Sequence, residues 1–256
     1  MNCDVFIPVR LSSKRLPEKS LKIVSGKPIL QHLVERLSSC SNIRHIIVCT
    51  TNRSNDDKLV HFLDSQNIKY FRGDDQDLLS RLNDTAKQYE TDFIVSVDGD
   101  DIYTDPLLVD KIVAQSEKTH ADFINMIDFP FGMISVGFTA LALDKICTLK
   151  KTQNTGTGYR LFFSDTNVLS VHNIQFSKTR KFDKNIRLTL DYEEDLTLAK
   201  KIFEQLGNDF HLDDILDLFG KYPSLLKITS GLNSRWKEHW NNNVTDLSLA
   251  QKLFYD

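Results

Sequence analysis

The residues best suited to chemistry lie in a short cationic loop near the N-terminus of the chain. A hydrophobic run over residues 5–7 ends at Pro8, and the ten positions from 10 to 19 then supply positive charges and hydroxyl groups: Arg10, Ser12, Ser13, Lys14, Arg15 and Lys19. An Arg side chain can donate hydrogen bonds to two phosphate oxygens at once, and Lys adds a point charge. These cations therefore suit a polyphosphate better than a monoanion. A buried strand that leads into such a loop predicts an anion site at the carboxyl edge of an open sheet.

Acidic residues follow a second hydrophobic run, in the segment with the sequence VDGDDIYTDP over residues 97–106. If that run is a buried strand, its carboxyl end brings three carboxylates to the edge of the sheet that carries the cationic loop: Asp98, Asp100 and Asp101. Mg²⁺ takes oxygen ligands from one or two carboxylates together with substrate phosphates, so these residues predict a magnesium site beside a polyphosphate site. The alternative is a solvated acidic turn in which an aspartate caps the next helix.

A further acidic segment has the sequence RLTLDYEEDL over residues 187–196. We predict a strand over residues 187–190 that ends at Asp191 and is followed by a helix with an acidic first turn. One interpretation makes Asp191 the cap of that helix, with Glu193 and Glu194 stabilising its positive end. The other makes Asp191 a second carboxylate of the metal site.

The segment FRGDDQDLLSRL, residues 71–82, has two interpretations that the sequence does not separate. Asp77 and Arg81 are four positions apart, so they would form an ion pair on the surface of a helix. Alternatively, Arg72, Asp77 and Arg81 contact the base or the sugar of a bound nucleotide.

Alternating strands and helices would position these segments. Hydrophobic runs predict strands over residues 4–9, 44–50, 68–71, 92–97 and 121–127. Helical periodicity predicts helices over residues 27–39, 55–65, 77–89, 106–117, 192–206, 211–221 and 247–254. This alternation is typical of an α/β fold with a mostly parallel central sheet flanked by helices. We interpret residues 1–256 as one domain.

The alternation breaks between residues 128 and 184. This part contains the stretch ISVGFTALAL, a short helix near residues 145–150, the loop NTGTGYR and a strand over residues 167–172. We predict an inserted lobe, with antiparallel strands laid over the edge of the sheet, that serves ligand binding or dimerisation. Its polar residues are the candidates for contact with a ligand: Tyr159, Arg160, His172, Gln175 and Lys178. Arg160 is the best cation for a carboxylate of such a ligand, and a place on the surface or at a dimer interface is an equal alternative.

The composition excludes several classes of protein. The chain has 256 residues, of which 41% are hydrophobic and 26% charged, as expected of a globular domain. Its net charge of −3 argues against a nucleic-acid-binding protein, and no apolar run is long enough to span a membrane. Four cysteines without metal-ligand spacing, and a start that enters a strand without a signal peptide, predict a cytoplasmic protein with reduced thiols. P-loop and glycine-rich dinucleotide motifs are absent, which argues against the enzymes that use them.

The N-terminal segment PVRLSSKRLPEKSLKIVSGKPIL resembles the signature of the CMP-sugar synthetases. These are the cytidylyltransferases that act on 3-deoxy-manno-octulosonate (Kdo) and acylneuraminate, together with a related spore-coat polysaccharide group. The matched positions are Pro8, Arg10, Ser13, Arg15, Leu16, Pro17, Lys19, Leu21, Gly26, Lys27 and Pro28. The segments FRGDDQDLLSR, GDDIYTDP and RLTLDYEEDL resemble the spore-coat group in the same order, and four ordered matches are more specific than any single motif.

The resemblance implies a nucleotide-diphospho-sugar-transferase-like fold and the transfer of CMP from CTP to an acidic sugar, with release of pyrophosphate. It implies that Arg10, Arg15 and Lys19 bind the triphosphate, that Asp100 and Asp191 hold Mg²⁺, and that the protein is a homodimer. The catalytic residues would then be Arg10, Lys19, Asp100 and Asp191. Further nucleotide contacts are expected at Pro8, Ser12, Ser13, Arg72, Asp77, Arg81 and Asp98, and acceptor contacts at Tyr159, Arg160 and His172.

The chain departs from the family pattern at positions that bear on the acceptor. Glu18 stands where the family has a glycine in the phosphate loop, and Asp98 stands where the Kdo enzymes have a glutamine. The segment TGTGYRLFF contains neither the glutamate nor the histidine of the spore-coat group. The alternatives are therefore a cytidylyltransferase with a phosphorylated or phosphonate acceptor, and a catalytically silent nucleotide-binding subunit.

Overall fold

A seven-stranded sheet lies at the centre of the part of the chain that the computed structural model describes, residues 1–164, 168–176 and 180–243. Its strands, together with the small hairpin β2–β3 outside the sheet, are β1 Cys3–Pro8, β2 Ile23–Val24, β3 Lys27–Pro28, β4 His45–Thr51, β5 Lys69–Gly73, β6 Phe93–Ser96, β7 Phe123–Ile127, β8 Val136–Thr139 and β9 Val171–Gln175. The strand order in the sheet is β5-β4-β1-β6-β8-β7-β9.

Most neighbouring strands of this sheet run parallel. β1 pairs in parallel with both β4 and β6, β4 pairs with β5, and β7 pairs with β9. The exception is β8, which lies antiparallel between β6 and β7. The predicted mostly parallel sheet is confirmed, and β1 occupies the position where the connections diverge to either side. In open α/β sheets that position is where ligands bind.

Helices cover both faces of the sheet. They are α1 Ile29–Leu37, α2 Asp57–Ser65, α3 Leu78–Tyr89, α4 Pro106–Thr119, α5 Ala140–Leu149, α6 Leu161–Ser164, α7 Glu193–Leu206, α8 Leu212–Lys221 and α9 Leu232–Asn243. None of the helices in the described residues is long and apolar enough to cross a membrane.

The hydrophobic core has two parts because β1 is buried on both faces. Val5 and Ile7 point into a cluster with residues of α1, α2, α4, α7 and α8. Phe6 points to the opposite face, into a cluster with residues of α3, α5 and α6. Side chains of a strand alternate between its two faces, so an uninterrupted apolar run requires cover on both. This is why the hydrophobic runs of the sequence located the parallel strands.

Capping residues determine where the chain turns from strand to helix at the site edge of the sheet. The carboxylate of Asp105 accepts from Leu107 N at 3.0 Å and Pro106 occupies the first turn of α4. Such capping satisfies backbone N–H groups that have no partner within the helix. α7 begins with the reverse contact, since Asp195 in its first turn accepts from the backbone N–H of Tyr192, the residue before the helix, at 3.0 Å.

The predicted strand over residues 187–190 is wrong. Arg187 makes one isolated bridge to Phe131, and the N–H of Leu190 donates to the carbonyl of Asp100 at 3.1 Å. The segment is extended and Leu188 and Leu190 are fully buried, which explains its strand-like pattern. Its backbone partners are loops at the edge of the sheet, and a sequence pattern does not reveal such partners.

Several predicted boundaries also differ. The helix predicted over residues 27–39 begins at Ile29, since Lys27–Pro28 forms β3. The helix predicted near residues 145–150 is the longer α5, and the strand predicted over residues 167–172 is β9. β8 lies inside the sheet, although antiparallel strands were expected over its edge. The predicted helix over residues 247–254 and the candidate Lys178 lie outside the described residues.

Candidate active site

A cavity of about 640 Å³ opens at the carboxyl ends of β1 and β6. Seven parts of the chain line it: the cationic loop after β1, the start of α3 with the turn before it, the acidic turn after β6, the residues that follow β7, the segment before α6, the residues before α7, and α9. The cationic loop contributes all of its predicted ligands, namely Pro8, Arg10, Ser12, Ser13, Arg15 and Lys19. The acidic turn contributes Asp98, Asp100 and Asp101. The structure therefore brings the two predicted sets of charges into one cavity.

Gly99 allows the acidic turn to pack directly on the cationic loop. A Cβ atom at this position would lie 2.4 Å from Cγ2 of Val9 and 3.2 Å from the carbonyl oxygen of Pro8. Contacts below 3 Å require the surrounding atoms to move, so a larger residue would push the two segments apart. Close approach of the backbone is thus the reason for a glycine here.

Asp100 and Asp191 meet at the ammonium group of Lys19. Lys19 Nζ donates to Oδ2 of Asp100 and, at 3.1 Å, to Oδ1 of Asp191. Arg15 Nη2 donates to the same Asp191 oxygen at 2.5 Å. Both carboxylates therefore converge on one cation although they are far apart in the sequence. The structure places together the two residues that were predicted to share a metal ion.

A buried arginine binds the second carboxylate oxygen of Asp191. Arg187 Nη2 donates to Oδ2 of Asp191 at 3.0 Å, and Arg187 Nε donates to Asp195 at 2.8 Å. Asp195 also accepts from the backbone N–H groups of Asp191 and Tyr192. The capping residue of α7 is therefore Tyr192, and the interpretation of Asp191 as a helix cap is wrong. Arg187 and Asp195 were not predicted from the sequence as residues of the site, although each lies four positions from Asp191.

The charges of this cluster shift the pKa values of its members. Burial raises the pKa of Asp191, but Lys19 and Arg15 outweigh burial and lower it to about 2. Burial opposes the charge of Lys19, and Asp100 and Asp191 nevertheless raise its pKa. Burial raises the pKa of Asp100. The pKa of Asp101 lies well above its usual value because of burial and the nearby negative charges of Asp100 and Asp98. Asp191 thus keeps its negative charge at every physiological pH.

The carboxylate pair has the donor chemistry of a magnesium site. Two hard oxygens that already share one cation suit Mg²⁺, which takes one or two protein carboxylates and fills its other positions with water and substrate phosphates. No group of three or more His, Cys, Asp or Glu side chains in residues 1–164, 168–176 and 180–243 forms a complete metal site. A metal at Asp100 and Asp191 would therefore need oxygen ligands from the substrate.

A second polar group surrounds Asp98. Arg160 Nη2 donates to Oδ2 of Asp98 at 2.7 Å, and the hydroxyl of Tyr159 donates to Oδ1 at 3.3 Å. The hydroxyl of Tyr159 also lies 2.8 Å from that of Ser96. Burial raises the pKa of Tyr159, and Asp98 raises it further, so its phenol stays protonated. Tyr159 and Arg160 both line the cavity, where they can offer hydrogen-bond donors to a ligand.

Two of the predicted ligands lie outside the lining of the cavity. Arg72 donates to the carbonyls of Thr51 at 2.9 Å and Arg53 at 2.8 Å, outside the lining of the cavity. His172 lies in β9, in register with Ile124, and is likewise outside that lining. Their ligand-binding roles receive no support from this placement.

Asp77 and Arg81 do not form the ion pair that their spacing predicted. Asp77 caps α3 by accepting from Ser80 N at 3.1 Å, and its other oxygen pairs with Lys150. Arg81 Nη1 donates to the carbonyl of Asp74 at 2.9 Å. Arg81 lines the cavity and Asp77 does not, so only Arg81 is placed to contact a nucleotide.

Glu18 does not bring its charge into the cavity. Its backbone has φ of 53°, the left-handed conformation that favours glycine, and its carboxylate pairs with Lys58 at 2.5 Å. The turn therefore keeps a backbone conformation that a glycine adopts readily, while the acidic group pairs with a lysine of α2. This removes the reason to expect that Glu18 disables the phosphate loop.

Comparison with known proteins identifies the family. The family model for cytidylyltransferases matches residues 5–213, which include every charged residue of the cluster. The chain belongs to the cytidylyltransferase family. The family resemblance and the CTP-dependent nucleotidyltransferase activity that the sequence predicted are thereby confirmed.

This cytidylyltransferase has relatives along most of its length. It is 30% identical over 236 residues to an uncharacterized protein of Methanocaldococcus jannaschii, covering 90% of this chain and 95% of that protein. It is 23% identical over 232 residues to a spore coat polysaccharide biosynthesis protein of Bacillus subtilis, covering 87% of this chain and 96% of that protein. A 3-deoxy-manno-octulosonate cytidylyltransferase of Hydrogenovibrio crunogenus is 29% identical over 171 residues, which cover 64% of this chain and 65% of that enzyme.

Solved structures agree with this assignment. A cytidylyltransferase from Leptospira borgpetersenii superimposes with a TM-score of 0.80 at 26% identity, covering 88% of this chain and 97% of that one. The CTP complex of a CMP:2-keto-3-deoxy-manno-octonic acid synthetase superimposes with a TM-score of 0.63 at 14% identity, covering 80% of this chain and 99% of that one. The second likeness shows the fold alone. The predicted nucleotide-diphospho-sugar-transferase-like fold is confirmed for this cytidylyltransferase.

Proposed function

We propose that this cytidylyltransferase transfers CMP from CTP to an acidic sugar of the 2-keto-3-deoxy or nonulosonic type and releases pyrophosphate. An acceptor oxygen attacks the α-phosphorus, and the bond from that phosphorus to the pyrophosphate oxygen breaks. The observation that carries the proposal is the convergence of Asp100 and Asp191 on one cation beside the loop of Arg10 and Arg15. The cations of this loop, together with a divalent ion on the two carboxylates, would neutralise a triphosphate at the point where it must react.

The cationic loop would bind the phosphates and stabilise the leaving group. Arg15 and Lys19 form ion pairs with Asp191 in the structure, and a triphosphate that binds would compete with that carboxylate for both cations. Arg10 lines the same cavity and adds a guanidinium that can take phosphate oxygens in pairs. Positive charge held close to the departing pyrophosphate lowers the barrier of the transfer.

We further propose that Asp100 and Asp191 hold Mg²⁺ when the triphosphate is bound. A divalent ion at this place supplies charge neutralisation and polarises the phosphate oxygens. Arg187 would keep Asp191 oriented toward it, because Arg187 occupies the other carboxylate oxygen at 3.0 Å. Positioning of the reactants and neutralisation of charge are the main requirements of phosphoryl-type transfer.

The acidic acceptor is proposed from the cavity and from the names of relatives. A Kdo cytidylyltransferase is among the relatives of this chain, and so is an 8-amino-3,8-dideoxy-manno-octulosonate cytidylyltransferase of Shewanella woodyi, 30% identical over 128 residues, 48% of this chain and 51% of that enzyme. Arg160 could exchange its partner Asp98 for the carboxylate of a keto-acid sugar. Such an enzyme would serve surface-glycan biosynthesis in the cytoplasm.

Pyrophosphate release tests the function. The purified protein would be incubated with Mg²⁺, with each of CTP, UTP, GTP and ATP, and with panels of keto-acid sugars and of phosphorylated or phosphonate acceptors. We expect release with CTP and a keto-acid sugar, and we expect Asp100→Asn to lower kcat by orders of magnitude without unfolding the protein. Release only with a phosphate-bearing acceptor would show that the acceptor is not a keto-acid sugar. An Asp100→Asn variant with undiminished activity would refute the metal assignment.

A further inference from the structure

The two tryptophans of the chain, Trp236 and Trp240, both line the active-site cavity. They lie one turn apart on α9, and their rings stack with centroids 5.0 Å apart at an interplanar angle of 25°. Trp236 packs edge to face on Phe131, with centroids 4.6 Å apart. We name Phe131, Trp236 and Trp240 the aromatic wall. Both indole rings are only partly buried, so each keeps surface for a ligand.

The aromatic wall is attached to the residues that position Asp191. The guanidinium of Arg187, which binds Asp191, lies 5.1 Å from the ring centroid of Phe131 and donates to the side chain of Asn233 on α9 at 3.4 Å. The guanidinium of Arg235 lies 4.5 Å from the ring centroid of Tyr192, the residue next to Asp191. α9 therefore contacts both Arg187 and Tyr192, the residue that binds Asp191 and the residue that follows it.

Strand order relates the wall to the other residues that line the cavity. Leu78 and Arg81 belong to α3, which follows β5 at one edge of the sheet. Phe131 follows β7, near the opposite edge, and the turn with Asp100 follows β6, which lies between β5 and β7. From this order we infer that the carboxylates lie between α3 and the aromatic wall. A reaction at the carboxylates would have one reactant on each side.

We propose that the aromatic wall binds the acceptor, with an apolar face of the sugar ring packed against the exposed surfaces of Trp236 and Trp240. This inference rests on the proposed function, since it names the residues that would hold the acceptor of that reaction. Aromatic rings bury large apolar surfaces while their geometry orients the partner. The nucleoside of CTP then lies toward α3, and the polar groups of the acceptor face Tyr159 and Arg160. Continuity of the wall with the carboxylate pair favours a small reactant over a second protein chain.

Tryptophan fluorescence reports on this wall alone, because the chain has no other tryptophan. We expect Kdo, N-acetylneuraminate or another sugar acid that supports pyrophosphate release to change the fluorescence of the resting enzyme without CTP. We expect CTP alone to leave the signal nearly unchanged. A sugar acid that supports turnover but does not alter the fluorescence would overturn the inference. A response to CTP alone would overturn it as well and would assign the wall to the base.

Steady-state kinetics separate binding from structural effects. Trp236→Leu and Trp240→Leu are expected to raise the KM for the acceptor about tenfold, which corresponds to about 1.4 kcal/mol, and to leave the KM for CTP within twofold. Trp236→Phe should restore part of the loss, and Tyr222→Leu, an exposed aromatic outside the cavity lining, is the matched control. Equal increases in both KM values, or a lower kcat with unchanged KM, would contradict packing of the acceptor against the wall.

The same variants distinguish failure of this inference from failure of the proposed function. If wild-type protein releases no pyrophosphate with any nucleotide and acceptor, the proposed function fails and the inference fails with it. If wild-type protein is active but the tryptophan variants do not selectively raise the KM for the acceptor, the proposed function stands and the aromatic wall does not bind the acceptor. If a second copy of the chain covers the aromatic wall, the fluorescence should vary with protein concentration and should not change when any sugar acid is added.

Discussion

Lys19 occupies the place between Asp100 and Asp191 where the proposed metal would bind. Its ammonium group neutralises two carboxylates at once, and their charge in turn raises its pKa, so it remains protonated. A divalent ion that binds without nucleotide must compete with this lysine. A triphosphate offers Lys19 another anionic partner and so favours release of the carboxylates. Metal and nucleotide are therefore expected to bind cooperatively.

Replacing Lys19 by methionine should increase the affinity for a divalent ion in the absence of nucleotide. Lys19→Met removes the competing charge while Arg15 and Arg187 still hold Asp191. We expect Mn²⁺ to bind the variant at least several-fold more tightly than the wild type, as measured by electron paramagnetic resonance of free Mn²⁺. CTP binding should weaken. Lys22→Met, at a lysine that pairs with Glu193 outside the cavity lining, is the control. Unchanged Mn²⁺ affinity would contradict the competition.

The ion pairs of Arg187 should be essential for stability. Arg187 is fully buried and donates to both Asp191 and Asp195, so its removal leaves carboxylates in the interior without their cation. Breaking a buried pair in this way costs roughly 3–5 kcal/mol. We expect Arg187→Met to lower the free energy of unfolding by about that amount in urea titrations. A loss below about 1 kcal/mol would mean that water or Arg15 takes over this role.

At the scale of elements, Asp74 stabilises the turn that starts α3. Its Oδ1 accepts from the backbone N–H groups of Asp77 at 2.7 Å and Gln76 at 2.8 Å. The bond from Asp77 is the main reason that the pKa of Asp74 lies below its usual value. A carboxylate with a lowered folded-state pKa stabilises the protein above its unfolded pKa, about 3.9, and this contribution is lost as the pH falls through the folded value.

Asp74→Asn keeps an acceptor oxygen but does not titrate. We expect the wild type to be more stable than this variant at pH 7 and pH 5, and we expect the difference to shrink as the pH falls below about 4. Urea unfolding over that range measures both proteins. Asp84→Asn, at an exposed position of α3, is the matched control. A stability difference between wild type and Asp74→Asn that stays constant from pH 7 to pH 3 would contradict the interpretation.

The sequence predicted those elements whose signals are local. β1, β4 and β6 are hydrophobic runs buried on both faces, and α3 and α4 have helical periodicity, with the predicted cap Asp105 before α4. The cationic loop and the acidic turn follow such strands, so their meeting at one sheet edge followed from the parallel arrangement. Residues 187–190 were mistaken for a strand because their backbone pairs with distant loops. The aromatic wall was missed because two tryptophans four positions apart are typical of any packed helix.

At the scale of the whole molecule, exposed apolar residues gather in the segment over residues 128–184. Leu141 and Leu149 lie on α5 with exposures of 83% and 40%, and the exposed Val168 lies beside this helix, where its carbonyl accepts from Lys145 at 2.7 Å. Isolated exposed apolar residues are normal on a protein surface, but a group of them indicates an interaction site. We propose that a second copy of the chain covers this surface. The segment would then combine two functions, since Tyr159 and Arg160 face the cavity.

A charged residue introduced on this surface should dissociate the proposed dimer. We expect the wild type to have twice the mass of the 29.5 kDa chain in sedimentation equilibrium, and we expect Leu141→Lys to shift the protein toward the monomer. Leu107→Lys, at an exposed leucine of α4, is the matched control. A monomeric wild type would refute the dimer, and a dimeric Leu141→Lys protein would move the interface elsewhere. Because the carboxylates, the cationic loop and the aromatic wall all come from one chain, the monomer should retain binding of CTP.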